Sequence, residues 1–230
     1  MIGRAESDVG SVELGIDIEA LDDVARAYAR FGQRYVDRVL APHERRDLRD
    51  RSRQVRYIAG RFAAKEAAIK AWGVTAATPV AWSRVVVEQT RSGLIVTAPH
   101  LGAAPVRVSL SVTEQAAYAV ALGGRRDPAN AVDTVGHGEG LGMAQDTVDA
   151  TIIEVLDEQA RLVGPAGDLA RDANLFEAGM TSHASVNVML GVEDAFDIEF
   201  PDALLTKKTF TSIASIADAV QQIQGDEATL

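Results

Sequence analysis

GRFAAKEAAIKAWG, residues 60–73, is the densest constellation of chemistry-bearing residues in the 230-residue chain. It closes a region, residues 21–72, whose patterning is helical and breaks near Pro42. On a helix Glu66 and Lys70 stand four residues apart and share a face, as do Arg61 and Lys65. Taken alone, that spacing describes a solvated Glu–Lys pair on a surface helix. The segment before the helices shifts the reading. VELGIDIEAL, residues 12–21, is a short β-type run carrying an acidic cluster. A carboxylate such as Asp17 inside an otherwise apolar strand is costly unless it is paired or metal-bound. Two carboxylates, Asp17 and Glu66, with cations nearby suit Mg2+ holding a substrate phosphate. After the helices, WSRVVVEQTRSGLIVTA (82–98) reads as a hairpin turning at Ser92-Gly93. VRVSLSVT (106–113) and AAYAVALG (116–123) read as another strand pair. Helices with antiparallel strands predict an α+β domain.

The C-terminal part differs in kind. Helical patterns at 146–163, 182–196 and 211–223, a shorter one at 202–207 and no β segment predict a small all-α four-helix bundle. Between the two lies GGRRDPANAVDTVGHGEGLG (123–142), Gly-rich and without sustained periodicity. The expected domains are therefore 1–124 and 145–230, joined by a flexible linker, 125–144, with a root-mean-square reach of about 25 Å. The charge divides at the same place. Residues 1–144 hold 19 Lys+Arg and 17 Asp+Glu, whereas residues 145–230 hold 4 and 16. A near-neutral domain tethered to a strongly acidic one suggests different partners for the two, each other among the candidates.

Composition excludes several classes. With no cysteine there are no disulfides, thiolate metal sites or cysteine nucleophiles. The N-terminal residues carry no apolar signal core and no apolar run reaches membrane-spanning length, so a cytoplasmic protein with no membrane partner is expected. His43, His100 and His137 show no metal-ligand spacing. Arg26, Arg30, Arg34 and Arg38 recur every four residues as a basic stripe along one helix face, and ERRDLRDRSRQVR (44–56) adds to it. Nucleic acid is not the expected partner, because this half is nearly neutral and poor in stacking aromatics. An acidic protein helix matches better.

LFEAGMTSHASVNVML, residues 175–190, places Ser182 at the mouth of an apolar helix. Most serines so placed are N-caps. His183 beside it reads as a solvated surface group.

GIDIEAL followed about fifty residues later by RFAAKEAAIKAWG resembles the paired signature of the 4'-phosphopantetheinyl transferases, in the compact form of holo-acyl-carrier-protein synthase, over roughly residues 12–123. The resemblance implies that Asp17 and Glu66 bind Mg2+ at the coenzyme A pyrophosphate and that Lys70 contacts phosphate. It places Arg61 and Lys65 near the nucleotide and the carrier on basic groups of the first helix, here Arg26, Arg30, Arg34 and Arg38. It further implies a homotrimer with active sites between subunits. Two departures stand out: Val112 replaces a usual histidine, which predicts slower transfer, and Ala20 replaces a usual acid, although Glu19 lies beside it.

Residues 146–223 resemble acyl and peptidyl carrier proteins through the Leu-Phe loop, the Gly-x-x-Ser turn and EDAFDIEFPD. The resemblance makes Ser182 the 4'-phosphopantetheine attachment point, with Thr181-Ser182-His183 in place of the usual Asp-Ser-Leu. It is similar to carriers served by separate amino-acid ligases, so a separate acyl- or aminoacyl-loading enzyme is expected. Together the two resemblances imply a Mg2+-dependent transferase that primes its own carrier with coenzyme A, as part of fatty-acid or secondary metabolism. A non-catalytic scaffold presenting a carrier primed elsewhere is the alternative.

Overall fold

Strand β1 (Val12–Ala20) alternates in the unexpected sense: Gly15, Asp17 and Glu19 point inward and are buried, while Leu14, Ile16 and Ile18 point outward and are exposed. The computed structural model describes residues 12–48, 53–124 and 145–227. The expected linker, 125–144, lies outside them. After β1 come helices α1 (Leu21–Phe31), α2 (Gln33–Val39) and α3 (Gln54–Ala71), then strands β2 (Val86–Thr90), β3 (Gly93–Thr97), β4 (Val106–Val112) and β5 (Ala116–Gly124). The strands form one antiparallel sheet in the order β1-β5-β4-β3-β2. Helix α3 lies across its inner face. Its small side chains, Ala59, Gly60, Ala63, Ala64, Ala67, Ala68 and Ala71, are all buried and permit that close packing.

Details of the sequence reading shift. The basic stripe is carried by two helices, because Gly32 at φ 55° ends α1 and starts α2. The hairpin turns at Arg91-Ser92, one residue earlier than expected, since Thr90 pairs with Gly93. Gly93 takes φ 118°, a conformation that side chains disfavour. Trp82–Arg84 is a 3-10 turn ahead of the hairpin rather than its first strand residues.

The C-terminal domain contains α4 (Gln145–Gln159), α5 (Ser182–Phe196) and α6 (Ile213–Glu227). The expected fourth helix is a single 3-10 turn, Asp202–Leu204. Leu156, Leu175, Met189, Leu190 and Val220 fill this core. Thr181 caps α5 by accepting the Ala184 N–H at 3.1 Å. Ser182, as the first helical residue, is therefore not the cap. Among the described residues no helix is long and apolar enough to cross a membrane.

One expected site residue belongs to the core instead. Lys65 is fully buried, and its Nζ donates to Glu44 Oε2 at 2.7 Å, to Val39 O at 2.7 Å and to Trp82 O at 2.9 Å. Glu44 in turn accepts the Ala41 and Val87 amide protons. Burial pushes the lysine down to about 8 against the pull of Glu44. All three ammonium protons are used inside the fold, so Lys65 does not reach a nucleotide. It ties α3 to the end of α2, to the residues after it and to the start of β2. Lys65→Met should accordingly destabilise the chain by about 3–5 kcal/mol, the usual effect of stranding one member of a buried ion pair. The denaturant midpoint reads this directly. A variant of unchanged stability with a raised KM for coenzyme A would return Lys65 to the nucleotide site.

Candidate active site between the two domains

Glu66 and Lys70 stand one turn apart on α3 and face β1, so the solvated-pair reading is overturned: Glu66 is buried at 5 % exposure. Trp82 Nε1 donates to Glu66 Oε1 at 2.6 Å, and the Ser182 side chain of the C-terminal domain lies close to the same carboxyl. Lys70 Nζ donates to Asp17 Oδ1 at 2.6 Å and to Ile16 O at 3.0 Å, leaving a third proton for another acceptor. The fold thus brings Asp17, Glu66, Lys70 and Ser182 to one place.

The electrostatics of that place are strained. Burial raises the Asp17 carboxyl, opposed by Lys70. Burial also raises Glu66, opposed by the Trp82 hydrogen bond and reinforced by Asp17. Glu19, two residues along the strand, is pushed up to about 9 by burial and by repulsion from Asp17, Glu66 and Asp23. Asp17 and Glu19 lie close enough to repel, and two ionised carboxylates have no proton to share. Asp17 Oδ2 is buried without a donor. A proton held on Glu19 relieves that repulsion, and a cation beside Asp17 Oδ2 would relieve it further. Among the described residues no three acidic or histidine side chains form a ready-made metal cage. An orphaned carboxylate oxygen with a second carboxyl nearby does suit Mg2+, which takes one or two protein carboxylates and completes its shell with phosphate and water.

The acidic domain docks beside this site. Arg30 Nη2 meets Glu158 Oε2 at 2.8 Å, and Arg34 pairs with Asp194 and with Glu193 Oε2 at 3.1 Å. Arg38 Nη2 reaches Glu193 Oε1 at 2.5 Å and Glu199 Oε1 at 3.1 Å. Glu193 is buried, and its Oε1 also accepts the Phe200 N–H at 2.9 Å. Arg26 departs from the expectation: its partner is Asp23 on its own helix, and Asp23 also receives Arg161 from the acidic domain. Two backbone hydrogen bonds of 2.8 Å, Val80 N–H to Leu205 O and Lys208 N–H to Ala76 O, join the loops beyond the helices.

His183 overturns the surface reading. It is 3 % exposed, its Nε2 lies 2.6 Å from Tyr35 Oη, and its ring meets Phe62 edge-on at 5.4 Å. Burial pushes it down to about 4. Arg61 stacks on Tyr57 at 4.8 Å, in a cavity of about 760 Å³ lined also by Arg53, Arg56, Gln89 and Val112. Val112 thus sits at an arginine-lined pocket, whereas Ser182 lies on the side of Glu66. Trp82, Tyr35 and Glu44 carry roles that no spacing in the sequence announced. Glu19 had a signal, since it lies in register with Asp17 on a strand of period two.

Residues 13–123 match the family model described as the 4'-phosphopantetheinyl transferase superfamily, and residues 150–220 match the model for a phosphopantetheine attachment site. The aminoacyl carrier protein of Agrobacterium fabrum is 50% identical over 82 residues, 35% of this chain and 99% of that protein. The holo-[acyl-carrier-protein] synthase of Pelodictyon phaeoclathratiforme is 33% identical over 116 residues, 48% of this chain and 97% of that protein. The crystal structure of holo-[acyl-carrier-protein] synthase from Neisseria meningitidis, 27% identical, aligns with a TM-score of 0.43 over 48% of this chain and 96% of that one. A transferase signature and a carrier signature thus lie in tandem, and the chain belongs to the 4'-phosphopantetheinyl transferase superfamily, fused to a C-terminal phosphopantetheine-attachment carrier domain.

Proposed function

We propose that the chain transfers 4'-phosphopantetheine from coenzyme A to its own Ser182, priming the carrier domain for thioester-bound aminoacyl or acyl cargo. The observation that carries this reading is the docking of α5, whose first residue is Ser182, on α2 through Arg34, Arg38 and Tyr35, which sets Ser182 beside the buried Glu66 carboxyl. With Thr181 taking the capping role, the Ser182 oxygen is left for chemistry. It forms a bond to the β-phosphorus of coenzyme A, the bond from that phosphorus to the bridging oxygen breaks, and 3',5'-ADP leaves with the electron pair. The hydroxyl proton passes to Glu66, directly or through a water; a carboxyl raised by burial is a stronger base than an ordinary one. Lys70 offers its third proton to a phosphate oxygen. Asp17 and Glu66 would hold Mg2+, which when bound neutralises charge on the pyrophosphate oxygens. The arginine pocket with Arg61 accepts the remaining phosphate and nucleotide of the donor. Domains divide at 1–124 and 145–230, with 125–144 as tether, and the carrier docks through Arg30, Arg34 and Arg38 in its own chain or a neighbouring one. The aminoacyl carrier relative supports a separate aminoacyl-loading enzyme downstream.

Incubation with coenzyme A and Mg2+ followed by intact-mass analysis tests the reading. Wild type should gain one phosphopantetheine, Ser182→Ala none, and Asp17→Ala or Glu66→Ala should slow the gain about a hundredfold or more. Modification of wild type only after an external transferase is added would install the scaffold reading instead.

Val112 bears on the donor rather than the proton. Val112→His and Arg61→Ala should change the KM for coenzyme A, downward and upward respectively, with smaller effects on kcat. A large kcat gain in Val112→His would place proton handling at that position.

The homotrimer draws its support from β1 and β5. Their outward residues pair directly across the strands, Leu14 with Leu122, Ile16 with Val120 and Ile18 with Tyr118, and each is 37–59 % exposed. A contiguous apolar sheet face of this kind is usually covered, and other copies of this chain are the occupants proposed here. Light scattering should give about three times the 24.5 kDa chain mass. Ile16→Arg should collapse it to one chain, and a monomeric wild type would end the trimer assignment.

A further inference from the structure

We propose that His183 and Tyr35 form the specificity contact by which this transferase domain selects its own carrier, the imidazole supplying the one hydrogen bond that the buried tyrosine hydroxyl requires. The inference deepens the self-priming reading and rests on it.

Tyr35 is fully buried on α2, and among the described residues His183 is the hydrogen-bond partner of its hydroxyl. The contact lies one residue beyond the acceptor serine, at the first turn of α5, so forming it sets where Ser182 stands. Phe62 closes the site, edge-on to His183 and stacked with Trp82, the residue that holds Glu66. Recognition of the carrier and alignment of the base therefore share one aromatic cluster.

The exposed contacts discriminate poorly. Arg30 and Arg34 are about half exposed, and exposed pairs contribute little and accept any acidic helix. The Tyr35–His183 contact is different because both groups leave water. A carrier with an apolar side chain after its serine strands the Tyr35 hydroxyl, and unpaired buried polar groups are the strongest basis for rejecting a near-match. The same logic runs the other way: in a transferase with an apolar residue at position 35, His183 is stranded.

The contact also predicts a pH response. The charged groups facing His183 are Asp23 and Arg26 on α1 and Arg161 after α4; Asp23 favours the imidazolium, the two arginines and burial oppose it, and Tyr35 and Phe62 present no charge. Docking thus takes up the neutral ring. Undocked, the ring titrates near the ordinary value of about 6.5. As pH falls below that value the undocked form gains a proton and docking weakens, by up to about tenfold per pH unit until the docked value of about 4 is approached.

The test uses the full chain. Single-turnover self-priming is followed by intact mass for wild type, Tyr35→Phe, His183→Leu, the double variant and His183→Gln, whose amide nitrogen matches Nε2 in reach. Each of the first two single changes should slow priming about 10- to 100-fold. The double variant should be at least tenfold faster than the product of the single effects, because neither partner is then stranded. His183→Gln should prime at near the wild-type rate without the loss below pH 6.5. Strictly multiplicative single effects, or a His183→Leu chain that primes like wild type, overturn the proposal. Histidine-selective 15N NMR, simple with four histidines, keeps the two readings apart. If wild type gains no phosphopantetheine, self-priming fails, yet a His183 resonance that stays neutral to pH 5 and becomes titratable near 6.5 in Tyr35→Phe upholds the contact. A resonance titrating near 6.5 in wild type overturns it whatever the activity.

Discussion

Helix α3 lies so close on strand β1 that a methyl group at Gly15 would overlap the Ala67 carbonyl oxygen and come within 2.7 Å of the Ala71 amide nitrogen. That approach sets the spacing of the whole site. It brings Lys70 onto Asp17 and the backbone of Ile16, and it seats Glu66 within the electrostatic reach of both strand carboxyls. The alanines of α3 serve the same end from the other side. A larger residue at Gly15 or along that helix face would push the helix outward and dissolve the cluster before any charge was changed.

The cost of this geometry is three carboxyls in a place with little water. A fold of this kind tolerates them only because each has a partial answer: Lys70 for Asp17, Trp82 for Glu66, and a retained proton for Glu19. The unanswered oxygen, Asp17 Oδ2, is where a cation gains most. Buried charge is handled differently at Lys65 and Glu44, where every donor and acceptor is satisfied and nothing is left over for a ligand. The two lysines of one motif, five residues apart, thus stand in separate settings: Lys65 spends all three protons inside the fold, whereas Lys70 spends two on Asp17 and Ile16 and keeps one.

The domain interface divides its labour in a similar way. Exposed arginines on α1 and α2 draw an acidic helix toward the site and lose strength with salt. The buried groups, Glu193 beneath Arg38 and His183 against Tyr35, fix its register. The Asp23–Arg161 pair reverses the polarity of the rest, which a uniformly acidic carrier has no means to reproduce.

The sequence by itself determined the two fold classes and the tandem arrangement, and it singled out Asp17, Glu66, Lys70 and Ser182, which the fold then brings together, because motifs with fixed spacing and clear periodicity are local properties. It also determined that basic helices would face an acidic domain, since charge is counted without knowing the fold. Tertiary structure decided what each side chain touches. Lys65 reads as a residue near the nucleotide until the chain brings Glu44 from 21 residues away to meet it. His183 reads as a surface group until another domain covers it. The outward turn of Leu14, Ile16 and Ile18 inverts the usual pattern, because α3 leaves room above β1 only for Gly15 and the two acids. Periodicity tells which residues share a face, but which face is covered depends on long-range packing that no local pattern encodes.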